Sequence, residues 1–292
     1  MNSLRYCLLV LALAANLAWA EEPYILPPAS TASFEELLGN QAQGVAVFDY
    51  EGRASIVIFD FPTLLEQGRM FNRLVTLIER IGAPRERVLS NEELARYIRS
   101  VGKTEATLAY GNDFLVSELV VFFNLAEIGP IQLNPEEVAL RKFLLDRKMM
   151  VMRRGFYQAV TPRAVVLSLP RVSAGGSGSP PVSESARRTI LSHEVAHGEY
   201  YTNPKYANFC RRFWREVMTE KQRAGFRKFL TSNGYNPENE EMMINEGQAY
   251  LMYTPDPRAF NAKLVGFTDG ELDDLRRKFK SGYYLPAQVA VN

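Results

Sequence analysis

LSHEVAHGEYY, residues 191–201, is the stretch that decides how the rest of this sequence is interpreted. It contains both histidines of the chain, His193 and His197, with Glu194 directly after the first. On an α-helix, residues four apart lie about 40° apart around the axis and ~6 Å apart along it. Both imidazoles would therefore project from one side and could bind a single metal ion. Glu194, rotated by about 100° from His193, would flank the ion instead of binding it.

This arrangement predicts hydrolytic chemistry. A divalent ion lowers the pKa of a bound water towards ~7, and a carboxylate beside it can take the proton as the water attacks a carbonyl carbon. Glu194 is the predicted general base, and Zn²⁺ is the predicted cofactor because imidazole nitrogens of this spacing suit it. The alternative is an ordinary surface helix that carries two histidines by chance. No other histidine exists in the chain, so the third ligand must be of another type.

A second helix supplies the best candidate for that ligand. Residues 242–253 read MMINEGQAYLMY, in which Gly247 and Ala249 leave room for close helix packing beside Glu246. A carboxylate from a neighbouring helix is a usual third zinc ligand, so the predicted ligand set is His193, His197 and Glu246. Three other glutamates compete for this role: Glu199, Glu240 and Glu241.

The same helix carries Tyr250, four residues after Glu246. Many of the zincin metallopeptidases that this motif resembles use a histidine or a tyrosine to stabilise the oxyanion; this chain has no histidine to spare, so the resemblance implies a tyrosine or an arginine. Tyr250 is the tyrosine predicted to be catalytic, and packing alone is the alternative. Other candidates are Tyr200, Tyr201 and Tyr253.

The first twenty residues, MNSLRYCLLVLALAANLAWA, have the layout of a secretory signal peptide. A short segment with Arg5 precedes an apolar run, and Ala18-Trp19-Ala20 forms a small-x-small cleavage site. The run is shorter than the ~20 residues that span a bilayer, so no stable membrane anchor is expected after cleavage. We therefore expect an exported protein, either periplasmic or secreted.

The charge balance and the cysteine content disfavour nucleic-acid-binding proteins, proteins of anionic membrane surfaces and disulfide-linked folds. The chain has 34 basic and 33 acidic residues, a balance that predicts no nucleic-acid partner and no anionic membrane surface. Beyond the signal peptide Cys210 is the only cysteine, so no intrachain disulfide is expected. Cys210 lies in an apolar stripe of helical spacing, which favours a core position over a metal ligand.

Residue patterns predict an α+β fold. Strands are expected at 44–50, 54–61, 105–110 and 165–170, and also at 115–123, where the stretch LVSELVVFFNLAEIG could equally be a buried helix. Helices are expected at 33–38, 62–82, 134–148, 205–230, 238–253 and 268–282, besides the one that bears the histidines. That helix should be capped by Ser183 or Ser185 and end at Asn203-Pro204. Residues 171–185, rich in Gly, Ser and Pro, predict a mobile loop that is either a linker or a flap or processing site.

The HExxH motif followed by a helix reading N-E-G-x-A resembles the zincin metallopeptidases of the gluzincin type, over residues 165–255. The resemblance implies a zincin-like catalytic half at 161–292, behind an N-terminal α/β region of unknown role at 21–160. That half would contain an edge strand at 165–170 for an extended substrate, the HExxH helix, the helix of the third ligand and a helical C-terminal part. It also implies a peptide or protein substrate, with Glu194 acting as base and then as proton shuttle.

One departure from the family concerns the residue that orients a ligand histidine. Some relatives carry Asp four residues after the ligand glutamate, where this chain has Tyr250. Glu199, Asn245 or Tyr250 could take over that role. The predicted function is an exported zinc-dependent metallopeptidase, a hydrolase. The alternatives are a non-catalytic zincin-like protein that binds metal or a partner, a zinc amidase acting on cell-wall material, and a structural exported protein without metal.

Overall fold

A computed structural model of the chain describes residues 23–129, 131–176 and 178–283. The predicted signal peptide, residues 1–20, lies outside these ranges. Within them, no helix combines the length and the apolar character needed to cross a membrane. Helices and a mixed sheet make up the structure, which confirms the predicted α+β class.

A five-stranded sheet lies at the centre of the molecule. In spatial order its strands are β1 (Ser30–Ala32), β2 (Ala46–Tyr50), β3 (Ile56–Phe61), β7 (Val165–Pro170) and β4 (Asn112–Leu115). β3 and β7 run parallel, whereas β2 is antiparallel to β3 and β4 is antiparallel to β7. A separate hairpin pairs β5 (Met150–Arg153) with β6 (Phe156–Ala159).

Helices cover both faces of this sheet, because its central strands bury side chains on both sides. On β3, Ile56 and Ile58 point to one core, and Val57 and Phe59 point to the other. The helices are α1 (Phe34–Leu38), α2 (Leu64–Ile78), α3 (Asn91–Ser100), α4 (Val116–Ile128), α5 (Pro135–Asp146), α6 (Glu184–Thr202), α7 (Pro204–Arg212), α8 (Glu220–Ser232), α9 (Glu240–Tyr253) and α10 (Asp269–Gly282). The first core contains α6, α7, α9 and α10, and the second contains α2, α4 and α5. Alternating burial on two faces explains the nearly continuous apolar runs of these strands.

Strands from both sides of the boundary predicted between residues 160 and 161 belong to one sheet. β7 hydrogen bonds to β3 and β4, which come from the N-terminal region, and α6 packs against the same sheet. Region 21–160 therefore supplies four of the five strands on which the histidine helix rests.

The strand predicted at 115–123 is wrong, and the alternative of a buried helix is confirmed. The strand expected at 105–110 is β4 at Asn112–Leu115 instead, and the apolar segment after it is the buried helix α4. Glu118 starts this helix by accepting the Leu115 N–H through its carboxylate (2.8 Å). The segment lacks an amphipathic period because α4 is buried among apolar side chains on several sides.

The single helix predicted over 205–230 is wrong. α7 ends at Arg212, a π-helical turn spans Phe213–Val217, and α8 starts anew at Glu220. Thr219 and Gln222 form a capping box, so this S/T-x-x-E/Q signal within the apolar stripe marks a second helix start. Cys210 is buried in the core, 2 % exposed.

The Gly/Ser/Pro-rich segment after β7 doubles back on itself. Isolated β-bridges join Ser173 to Val182 and Gly176 to Ser179. Val182 then packs with Leu64 and Ala106 in a small apolar cluster. The chain then continues directly into Ser183, the N-cap residue of α6.

Candidate metal centre

Helix α6 presents the HExxH motif from a fixed position on the sheet. Ser183 caps the helix by accepting the Ala186 N–H (3.2 Å), and the helix continues to Thr202. Gly198, directly after the motif, allows α6 to lie close to β3, because a Cβ there would be 2.7 Å from Ile56 Cδ1. The two imidazoles lie side by side, with ring centroids 4.6 Å apart, and both are buried.

Helix α9 brings Glu246 to both imidazoles. One carboxylate oxygen lies 3.6 Å from His193 Nε2 and the other lies 3.7 Å from His197 Nε2. Gly247 lets α9 lie close to the π-helical turn, because a Cβ there would lie 2.9 Å from Trp214 Cζ3. The structure thus brings the three predicted ligands together, with one atom of each within 4.8 Å of the others, as a group that could hold a metal ion.

Hydrogen bonds at Nδ1 hold both rings in the orientation that a metal ligand needs. The Thr254 hydroxyl donates to the Ala249 carbonyl (3.1 Å), so it accepts from His193 Nδ1 (2.8 Å). His197 Nδ1 lies 2.9 Å from the Asn245 side-chain oxygen, which only accepts, so this nitrogen carries the proton. Both Nε2 lone pairs therefore face Glu246, the arrangement found in metal-binding histidines.

The three competing glutamates are paired elsewhere. Glu199 accepts from Arg53 Nε (2.5 Å), and Glu241 accepts from the Tyr200 hydroxyl (2.7 Å). Glu240 accepts from Trp214 Nε1 (2.9 Å). Of the residues proposed to orient a histidine, Asn245 occupies that position and Glu199 does not.

Burial sets the protonation states of the centre. It lowers the pKa of His193 to about 3 and that of His197 to about 4, so both rings are neutral at pH 7. Burial also raises the pKa of Glu246, against the opposing effects of His197, Arg80 and a hydrogen bond from Tyr235. One oxygen of Glu246 and one of Glu194 are buried without a hydrogen bond among the described residues. Neutral imidazoles beside unpartnered carboxylates match a divalent cation.

Glu194 lies beside the three ligands and not among them. It groups with His197 and with Asp113 of β4, again with one atom of each within 4.8 Å of the others. Gly111, directly before β4, lies so close to Glu194 that a Cβ would be 2.5 Å from its Cδ. Burial, followed by the negative charge of Glu246, raises the pKa of Glu194 well above its ordinary range.

The four candidate tyrosines have different surroundings. Tyr250 lies against His193 with ring centroids 4.7 Å apart, and it also contacts Phe229 and Phe260. Burial raises its pKa. Of the other candidates, Tyr200 bonds to Glu241, and Tyr253 is buried, 4 % exposed. Tyr201 is half-buried, and after burial the nearby Asp113 is the main cause that raises its pKa.

Two further residues border the centre. Arg80 donates to the carbonyls of Leu108 and Asn233 (both 2.8 Å), and its guanidinium lies 5.1 Å from the centroid of the Tyr235 ring. Tyr235 pairs with Arg80 through an isolated β-bridge, and burial, followed by the charge of Glu246, raises the pKa of Tyr235. Arg80 thereby connects the end of α2 to the loop before α9.

The edge strand predicted at 165–170 is wrong. β7 lies inside the sheet between β3 and β4, and within the described part of the chain β4 pairs with β7 alone. β4 is therefore the edge strand beside Glu194, because Gly111 and Asp113 adjoin that residue. The short β4 was missed because its residues, NDFL, carry no β-branched run.

We find no family model, curated protein or solved structure that matches this chain. The family resemblance thus depends on the motif and on the geometry of the centre.

Proposed function

We propose that this protein is an exported zinc-dependent metallopeptidase. The observation that carries the proposal is the placement of His193 Nε2 and His197 Nε2 at 3.6 and 3.7 Å from the two oxygens of Glu246, with Glu194 alongside. Export is proposed from residues 1–20, which have the layout of a signal peptide.

The choice of zinc follows from the donor set. Two neutral imidazole nitrogens and one carboxylate oxygen are the protein ligands of many catalytic zinc sites, which keep a further position open. Magnesium and calcium prefer oxygen ligands, so a centre with two histidines disfavours them. The buried oxygen of Glu246 that lacks a hydrogen bond fits a ligand atom.

Each residue has a role in the proposed hydrolysis. Zinc, when bound by His193, His197 and Glu246, supplies Lewis-acid polarisation and activates water. Glu194 accepts a proton from the attacking water and later gives it to the leaving amine. Tyr250, at the edge of His193, and Tyr235 are the hydroxyls placed to donate to the developing oxyanion.

The substrate class follows from the edge strand. An exposed strand edge pairs with an extended peptide through main-chain hydrogen bonds. Within the described residues β4 pairs with a strand on one side only, its residues are largely buried, and it starts next to Glu194. A peptide bound along β4 would therefore pass the proposed base in an extended conformation.

Glu194→Gln tests the mechanism. The variant should bind as much zinc as the wild type but lose turnover of a mixed peptide library, because an amide cannot accept the proton. Glu199→Gln is the matched control, since Glu199 lies on the same helix and pairs with Arg53. Unchanged turnover in Glu194→Gln would contradict the mechanism.

Two alternatives are separated by the same experiment. Peptidoglycan is incubated with the protein in parallel with the peptide library, and we expect it to remain intact. Release of cell-wall fragments without peptide cleavage would favour a zinc amidase. Bound zinc with no cleavage of either substrate would favour a non-catalytic metal- or partner-binding protein.

A further inference from the structure

Asp113 is the acidic residue of the edge strand that faces helix α6. Side chains alternate along β4: Phe114 points into the core formed with α2 and α4, and Leu115 packs against the core that contains α6. Asp113 has the same orientation as Leu115 because successive side chains of a strand point to opposite faces. Its carboxylate thus enters the centre from the sheet side.

The Asp113 carboxylate lies next to the proton of His197. Its Oδ2 is 3.7 Å from His197 Nδ1, the nitrogen that also lies 2.9 Å from the Asn245 oxygen. Asp113 is 9 % exposed, and no hydrogen bond to its carboxylate is found within the described residues. The opposite nitrogen of the same ring, Nε2, faces Glu246.

We propose that Asp113 is a positioning residue that acts through His197, an inference that rests on the proposed metal centre. Asn245 fixes the direction of the Nδ1–H bond, and Asp113 places its carboxyl group on the side of that proton, 3.7 Å from Nδ1. In its ionised form this group makes the imidazole a stronger donor at Nε2, the effect of carboxylates behind metal-binding histidines. In this chain the carboxylate comes from the edge strand, so the strand proposed to bind substrate also holds a metal ligand.

A different reading of the same residues is a second cation site formed by Asp113, Glu194 and His197. The tautomer of His197 argues against it. Asp113 faces Nδ1, and that nitrogen donates its proton to the Asn245 oxygen. A protonated nitrogen cannot also bind a metal.

The test is the zinc affinity of Asp113→Asn, measured by competition with a chelator of known affinity. The dissociation constant should rise about 10- to 100-fold, the effect typical of losing a residue behind a ligand. Glu118→Gln is the control: it removes a nearby charge, and its amide oxygen can still accept from Leu115. This control should retain wild-type affinity.

Two more measurements separate positioning from a structural role. The melting temperature of zinc-free Asp113→Asn should equal or exceed that of the zinc-free wild type, because the Asp113 carboxyl group has no hydrogen bond within the described residues to lose. Asp113→Glu, which keeps the charge, should recover most of the affinity. Wild-type affinity in Asp113→Asn, or two zinc ions per wild-type chain falling to one in this variant, would overturn the proposal. Neither readout needs turnover, so zinc binding without hydrolysis would contradict the peptidase function alone.

Discussion

Gly111→Ala is the substitution for which the structure gives the clearest magnitude. The added Cβ would lie 2.5 Å from Glu194 Cδ and 2.8 Å from its Cγ. Non-bonded carbon atoms prefer separations of at least ~3.5 Å, so the carboxylate must move by about 1 Å. A misplacement of that size at a reacting group costs roughly 100-fold in rate, equivalent to about 2.7 kcal/mol of transition-state stabilisation.

The variant should keep its zinc, because neither Gly111 nor Glu194 is among the three predicted ligands. Its stability should fall by about 1–3 kcal/mol at most, the usual cost of overpacking. Gly44→Ala is the matched control: a Cβ at Gly44 meets nothing within 4 Å. It reports the effect of the added methyl group alone.

The assay is kcat/KM on the best peptide from the library, with zinc content and melting temperature measured on the same preparations. We expect Gly111→Ala to lose about 100-fold in kcat/KM, while Gly44→Ala matches the wild type. Wild-type turnover by a folded Gly111→Ala would refute the placement of Glu194 as base.

Two further predictions concern the surroundings of the centre. Thr254→Val removes the acceptor of His193 Nδ1 and should weaken zinc binding by at least about 10-fold, measured by chelator competition; unchanged affinity would show that Thr254 does not hold the ring. Burial raises the pKa of Glu118 to about 7 and that of Glu79 to about 8, so the folded protein holds protons that the unfolded chain, with glutamate pKa values near ~4.3, has lost. Histidines of the unfolded chain, with pKa values near ~6.5, are about half protonated at pH ~6.5 and largely neutral above pH ~7.5, so they offset only part of this difference. The melting temperature of the zinc-free protein should therefore fall as the pH rises from about 6.5 to 8.5. A flat or rising profile would contradict this sign, and Glu118→Gln should reduce the slope.

The sequence predicts the elements of the centre better than their surroundings. Local signals sufficed for α6, because Ser183 caps it and Asn203-Pro204 ends it. Glu246 could be singled out because helical spacing and small neighbours restrict which carboxylate can approach two histidines. Each of these signals lies within the sequence of a single helix.

The rest of the centre depends on contacts between distant segments. Asp113, Gly111 and Arg80 reach the histidines only through the pairing of β4 with β7 and the packing of α2, and no local pattern encodes that pairing. The same reason explains the misplaced edge strand: a run of apolar residues does not reveal whether a strand has one neighbour or two. Thr254 lies just beyond α9, where the sequence offers a helix end but no indication of a histidine contact.

The most direct test of the centre is the zinc content of purified wild-type protein, measured by elemental analysis beside Glu246→Ala and Glu241→Ala. Glu241 lies on the same helix but bonds to Tyr200 and Arg211, so it controls for the loss of a glutamate from α9. We predict about one zinc per chain for the wild type and Glu241→Ala, and far less for Glu246→Ala. Full zinc retention by Glu246→Ala, or a wild type without stoichiometric metal, would contradict the central claim.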